Sequence, residues 1–146
     1  MQVMQLPNRF EALGPQDMGD DVTLDWLDEG RIVIFSIRNT NQKAVDRWFD
    51  VASQVFETFP EDEPLIVMHD VRQAGLGTYM RAKSAALTEK GARFTRGRYA
   101  VLISESAVSQ IVRLFLNVQS RRLTSRERRA FTDYDAALAW LREDAS

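Results

Sequence analysis

His69 is the only histidine of this chain, and Asp70 follows it at the end of the apolar run Leu65-Ile66-Val67-Met68. An imidazole beside a carboxylate can activate a serine nucleophile when all three groups converge. Adjacent strand residues point to opposite faces, however, so Asp70 is poorly placed to orient His69. No Gly-x-Ser-x-Gly elbow is present. The pair therefore reads first as a structural histidine with a turn-capping aspartate, and second as part of a binding site. No catalytic residue is assigned, and a hydrolase-like enzyme centred on His69 is a lesser alternative. One histidine and no cysteine leave only carboxylates for a metal, and Asp17, Asp20 and Asp21 lack the spacing of a calcium loop. Neither a metal nor a cofactor is expected.

Just downstream, Gly75-Leu76-Gly77-Thr78 precedes a helical pattern. Backbone N–H groups at such a helix start can face an anion, and Arg72, Arg81 and Lys83 are close in sequence. The third glycine of a dinucleotide fingerprint is missing, as is the Gly-Lys-Ser/Thr of a phosphate loop. His69, Asp70, Arg72, Gly75, Gly77 and Thr78 together form the candidate ligand or partner loop. Two arginine groups follow: Arg93, Arg96 and Arg98, then Arg121, Arg122, Arg126, Arg128 and Arg129. Each precedes a strand, so parallel strands would bring both to one sheet edge, a possible footprint for nucleic acid. The chain is net acidic (−2) and lacks the aromatic–basic interleaving of a single-strand platform, so nucleic acid is not the expected partner.

The elements that must position these residues are those of one soluble domain. A length of 146 residues, 45% apolar and 27% charged, suits a single globular core. The lack of cysteine excludes a disulfide framework, a thiolate metal site and a cysteine nucleophile, and fits a cytoplasmic setting. Met1 to Pro7 has neither the basic nor the long apolar stretch of a secretory signal. No apolar run approaches the ~18 residues of a membrane span. Charge is distributed unevenly: residues 1–70 carry 5 basic and 14 acidic side chains, residues 71–146 carry 14 and 7. Either this makes two poles that steer an anion or favour contacts between copies, or the signs neutralise within the fold.

Residues 1–19, with Pro7, Gly14, Pro15 and Gly19, read as a loosely ordered arm, and 20–146 as the domain. Val22, Leu24 and Trp26 alternate with Thr23 and Asp25. Asp28-Glu29-Gly30 is a turn, and Arg31 to Ile37 is a β-branched, almost wholly apolar strand. Asn39-Thr40-Asn41 offers caps for a helix bearing Ala44, Val45, Trp48, Ala52, Val55 and Phe56, ended before Pro60. Strand Leu65–Met68, a helix that Thr78 could cap and Gly91 stop, strand Tyr99–Ser104, a helix over residues 106–123, and a closing strand and helix complete the order β-β-α-β-α-β-α-β-α. That predicts an α/β fold with a mixed sheet of about five strands, an opening antiparallel hairpin and helices packed on the sheet. Trp48, Trp140 and Phe131 read as core. The 106–123 helix has apolar residues beyond one stripe, so Ile111, Leu114, Phe115 and Val118 are the candidate surface of a homodimer, with the arm as the competing cover.

The closing run Phe131-Thr132-Asp133-Tyr134-Asp135-Ala136-Ala137-Leu138-Ala139-Trp140-Leu141, together with this element order, resembles the SpoIIAA-like family, which includes STAS and SEC14-like domains. The Tyr99-to-Leu116 segment is similar to that family's unit of a strand, a serine and a long apolar helix. The resemblance covers roughly residues 20–143. It implies a non-catalytic binding or regulatory module acting through itself and a protein partner, or a SEC14-like carrier of a small apolar or anionic ligand. Anti-sigma antagonists of the family carry a phosphorylated serine in an Asp-Ser-Ser-Gly motif. Here Asp70 to Thr78 has Thr78 as its only hydroxyl, which departs from that pattern.

Overall fold

The computed structural model describes residues 5–74, 77–107 and 127–143. Six strands form one sheet: β1 Gln16–Gly19, β2 Val22–Leu27, β3 Ile32–Ile37, β4 Leu65–Asp70, β5 Gly97–Leu102 and β6 Glu127–Phe131. Among the described residues three α-helices accompany it: α1 Gln42–Thr58, α2 Thr78–Gly91 and α3 Tyr134–Arg142. The strands lie in chain order. β1–β2 and β2–β3 pair antiparallel, and β3 to β6 run parallel.

Alternation along the strands produces two cores. Val22, Leu24, Trp26, Val33, Phe35, Val67 and Val101 face α1, whose Ala44, Val45, Trp48, Val51, Ala52, Val55 and Phe56 recur at helical spacing and are all buried. Ile32, Ile34, Met68, Ala100 and Leu102 occupy the opposite face under Ala137, Trp140 and Leu141 of α3. α2 packs on α1, and its Met80 and Leu87 are buried in the same core. Helix ends follow the sequence signals. Asn41 Oδ1 accepts from the Ala44 N–H at 2.8 Å, and Asp133 Oδ2 from the Ala136 N–H at 2.9 Å. The closing carbonyls of α1 are met by Arg93, which donates to Phe56 O and to Phe59 O at 2.8 Å.

The uneven charge of the two halves resolves into ion pairs across the fold. Lys83 meets Asp46 and Lys90 meets Glu57 between α2 and α1; Arg93 meets Glu61, and Arg142 meets Asp28. Acidic residues of the first half thus face basic residues of the second, and the neutralising alternative holds for these groups.

Several expectations are adjusted. The sheet has six strands, because Gln16–Gly19, expected within the arm, adds to β2 as an edge strand with a register shift between Asp17 and Gly19. Residues 5–15 carry no strand or helix, yet Arg9 anchors them. Its guanidinium lies between the rings of Phe10 and Phe59, at 4.4 and 4.7 Å, and pairs with Glu63 at 2.8 Å. Thr78 is the first residue of α2 and not its cap; Gly77 holds the cap position without a side chain to offer. α2 runs through Gly91, and Ala92 closes it in a helical conformation. β5 begins at Gly97, two residues earlier than the apolar run suggests. The 106–123 helix, with Ile111, Leu114, Phe115 and Val118, lies outside the described residues beyond its start.

Gly97 lets β5 begin where it does. Its φ is +127°, and a Cβ there would fall 2.0 Å from the Leu65 carbonyl oxygen. Relief requires the β4–β5 pairing to shift. Gly97→Ala is expected to cost at least ~3 kcal/mol in urea unfolding, combining backbone strain with a steric clash.

Candidate functional site

β4 delivers His69 and Asp70 to opposite faces, as strand geometry requires. His69 is 1% exposed. Its ring stacks on Phe35 (5.2 Å, 19°), meets Phe56 and Trp48 edge-on, and lies 5.0 Å from Tyr99. The indole Nε1 of Trp48 donates to His69 Nδ1 at 3.0 Å. An indole N–H can only donate, so Nδ1 is an acceptor here and the proton of the neutral ring is on Nε2. The imidazole therefore joins β4 to α1 inside the larger core.

Asp70 emerges on the α3 side. Arg72 grips it with Nε to Oδ1 at 3.0 Å and Nη2 to Oδ2 at 2.9 Å. This bond, together with the charges of Asp133 and Tyr134, raises the Arg72 pKa against the opposing effect of burial. Gly77 is at the start of α2 with open space where a Cβ would be, and Thr78 Oγ1 accepts weakly from Arg81 at 3.4 Å. Gly75 lies outside the described residues. The structure thus brings Asp70 and Arg72 together, removes His69 from them, and gives the loop no assembled anion site among the described residues.

The arginine groups are similarly engaged. Arg96 donates to the Asp62 carbonyl at 2.6 Å. Arg98 is buried, lies 4.9 Å from the Trp140 ring centre, and donates to the Trp140 carbonyl and to Glu143 at 3.3 Å, closing the end of α3. Arg129 sits over Phe131 and Trp140 at 6.0 and 5.7 Å. Arg93 holds the end of α1. Arg121, Arg122 and Arg126 lie outside the described residues. Among the described residues no group of three or more acidic or histidine side chains is arranged to hold a metal ion. No helix of the described residues is long and apolar enough to cross a membrane.

Two polar groups on the α3 face were not singled out by sequence. Asp25 Oδ1 is inaccessible to solvent and has no hydrogen-bond partner among the described residues. Burial pushes its carboxyl pKa up. Tyr134, at the start of α3, is raised by burial first and then by the Asp25 charge. Asp25 was legible only as the polar side of an alternating strand. Trp48 as the partner of His69 had a stronger signal: an indole N–H in a core needs an acceptor, and the chain offers one imidazole. No family model, curated protein or solved structure matches this chain.

Asp28 and Asp25 respond to pH in opposite senses. The Arg142 bond, at 2.9 Å to each oxygen, holds the Asp28 carboxyl below its ordinary value. A lowered carboxylate stabilises the fold at neutral pH, and this is lost as pH falls through the folded value. Asp28→Asn should lower the thermal midpoint slightly at pH 7 and converge with wild type below about pH 3. Asp25 is raised, so its charged form is disfavoured in the fold. Asp25→Asn should raise the midpoint at pH 7, with the gain shrinking below about pH 4, where the carboxyl is protonated in both states. Thermal scans at several pH values check both.

Proposed function

We propose that this chain is a non-catalytic binding or regulatory module of the SpoIIAA- or STAS-like type, working through self-association and a protein partner. The observation that carries this reading is the position of His69. The residue best suited to acid–base chemistry is buried, accepts a hydrogen bond from Trp48, and is separated by the sheet from Asp70. Strand order supports the same reading. Ligand crevices in open α/β sheets form where strand order reverses, and β3 to β6 are sequential. The homodimer through Ile111, Leu114, Phe115 and Val118 rests on their sequence pattern, as does the SpoIIAA-like assignment on the closing run. A carrier of a small apolar or anionic ligand is the alternative, and cytoplasmic location accompanies either.

Native mass spectrometry of gently purified protein, repeated after denaturation, separates these readings. The expected result is a dimer without excess mass. Excess mass that disappears on denaturation would replace the adaptor with a carrier. A ligand-free monomer would overturn self-association.

A further inference from the structure

We infer that the turn at residues 8–13 is a preformed docking surface. Arg9 holds it rigid, and it presents Phe10 and Leu13 to a partner protein whose contact surface is apolar and rimmed by lysine or arginine. This rests on the reading that the chain works through a protein partner, and adds the surface and the chemistry of that contact. Among the described residues the large apolar side chains left exposed are Phe10 (66%), Leu13 (102%) and Tyr79 (39%). Tyr79 is engaged: its hydroxyl donates to Asp46, and Lys83 lies 5.7 Å from its ring centre. Phe10 and Leu13 stand three residues apart on one turn. A lone exposed leucine is ordinary. What distinguishes this pair is how firmly the segment beneath it is fixed.

The turn first closes on itself. Asn8 Oδ1 accepts from the Phe10 N–H at 2.9 Å, and the Glu11 N–H donates to the Asn8 carbonyl at 3.2 Å. Arg9 then pins it to two distant parts of the chain. Its Nη1 and Nη2 donate to the two Glu63 carboxylate oxygens at 3.2 and 2.8 Å, and Nη1 also donates to the Gly30 carbonyl at 3.3 Å. Gly30 permits this approach: its φ is +80°, and a Cβ there would lie 2.8 Å from the Arg9 carbonyl oxygen. Leu6 and Ala12 pack inward against the core, which seals the segment, while Phe10 and Leu13 face out. A segment serving only as a cover would turn those two inward as well. An apolar surface already fixed in place loses little entropy on binding, and an aromatic ring is a common anchor of interfaces.

Charge selects the partner. From Phe10 to Asp21 the chain carries Glu11, Asp17, Asp20 and Asp21 and no lysine or arginine. Asp20 pairs with Arg47, and Asp21 accepts from Asn39. Asp17 is exposed and accepts the Gly19 N–H, and Glu11, between the two apolar side chains, is exposed. Arg9, the nearest cation in sequence, is committed to Glu63. A second copy docking turn to turn about a two-fold axis would set one acidic segment against the other. An anionic membrane or nucleic acid is disfavoured on the same ground. A basic rim around an apolar contact complements the turn.

The test is an NMR titration of the full chain with an amphipathic helical peptide of leucine and lysine. A peptide of the same pattern in leucine and glutamate is the control. The expected result is saturable amide shift changes at residues 8–13 with the lysine peptide alone, weakening several-fold between about 0.05 and 0.3 M salt. Leu13→Ser alters a side chain that is fully exposed, so it leaves the fold intact, and it should weaken binding about tenfold. Arg9→Gln keeps both apolar side chains but unpins the turn, and should weaken binding several-fold. An absent response, an equal response to both peptides, or wild-type affinity in either variant would overturn the inference. So would a dimer, measured by light scattering, that Leu13→Ser dissociates, since the turn would then belong to a contact between copies. Shift changes confined to another surface would overturn the turn and leave the partner-binding reading standing, and the native mass spectrum tests that reading by itself.

Discussion

One hydrogen bond between two aromatic rings organises this molecule. Trp48 Nε1 and His69 Nδ1 meet at 3.0 Å in a core otherwise made of Phe35, Phe56 and Tyr99. A buried indole N–H without an acceptor is expensive, and so is a buried imidazole without a donor. His69 Nδ1 meets the need of the indole N–H, and the bond joins α1 to β4. The rest of the helical layer is placed from there. α1 carries α2, and α2 meets it through the Asp46–Lys83 and Glu57–Lys90 pairs at the rim.

The opposite face follows another logic. Among the described residues this face meets the nine-residue helix α3, which contacts β4 to β6 and is tied at both ends. Asp133 caps its start, buried Arg98 takes the Trp140 carbonyl at its end, and Arg142 reaches across to Asp28 in the β2–β3 turn. That turn holds Asp28 and Glu29 at positive φ, a conformation that needs outside support in residues with a Cβ. Arg142 supplies it from the far end of the chain. Among the described residues, Arg93 and Arg98 of the groups that suggest a polyanion surface in the sequence fasten helix ends.

Much of the architecture was legible because local and global signals agree. The alternation of Val22, Leu24 and Trp26, the stripe from Ala44 to Phe56 and the stop before Pro60 are observed, and of the caps offered by Asn39, Thr40 and Asn41 the structure uses Asn41. Gln16–Gly19 was not legible, since four residues with an irregular register carry too little periodicity. The β5 start was hidden because Gly97 and Arg98 look like loop, yet one permits close approach to Leu65 and the other is buried for α3. At the candidate site, sequence separated His69 from Asp70 by strand parity and was right to do so. It could not place Asp25 or Tyr134, whose significance arises from burial created by α3, more than a hundred residues from β2.

The central claim is that the single histidine is a structural acceptor for the Trp48 indole. The direct test is nitrogen-15 NMR of the imidazole in the folded protein at neutral pH. The expected spectrum shows one fixed tautomer, protonated at Nε2 and bare at Nδ1, with a coupling or shift signature of a hydrogen bond from the Trp48 indole. A ring protonated at Nδ1, or one averaging between tautomers as in water, would contradict the claim and return His69 to the list of residues available for catalysis.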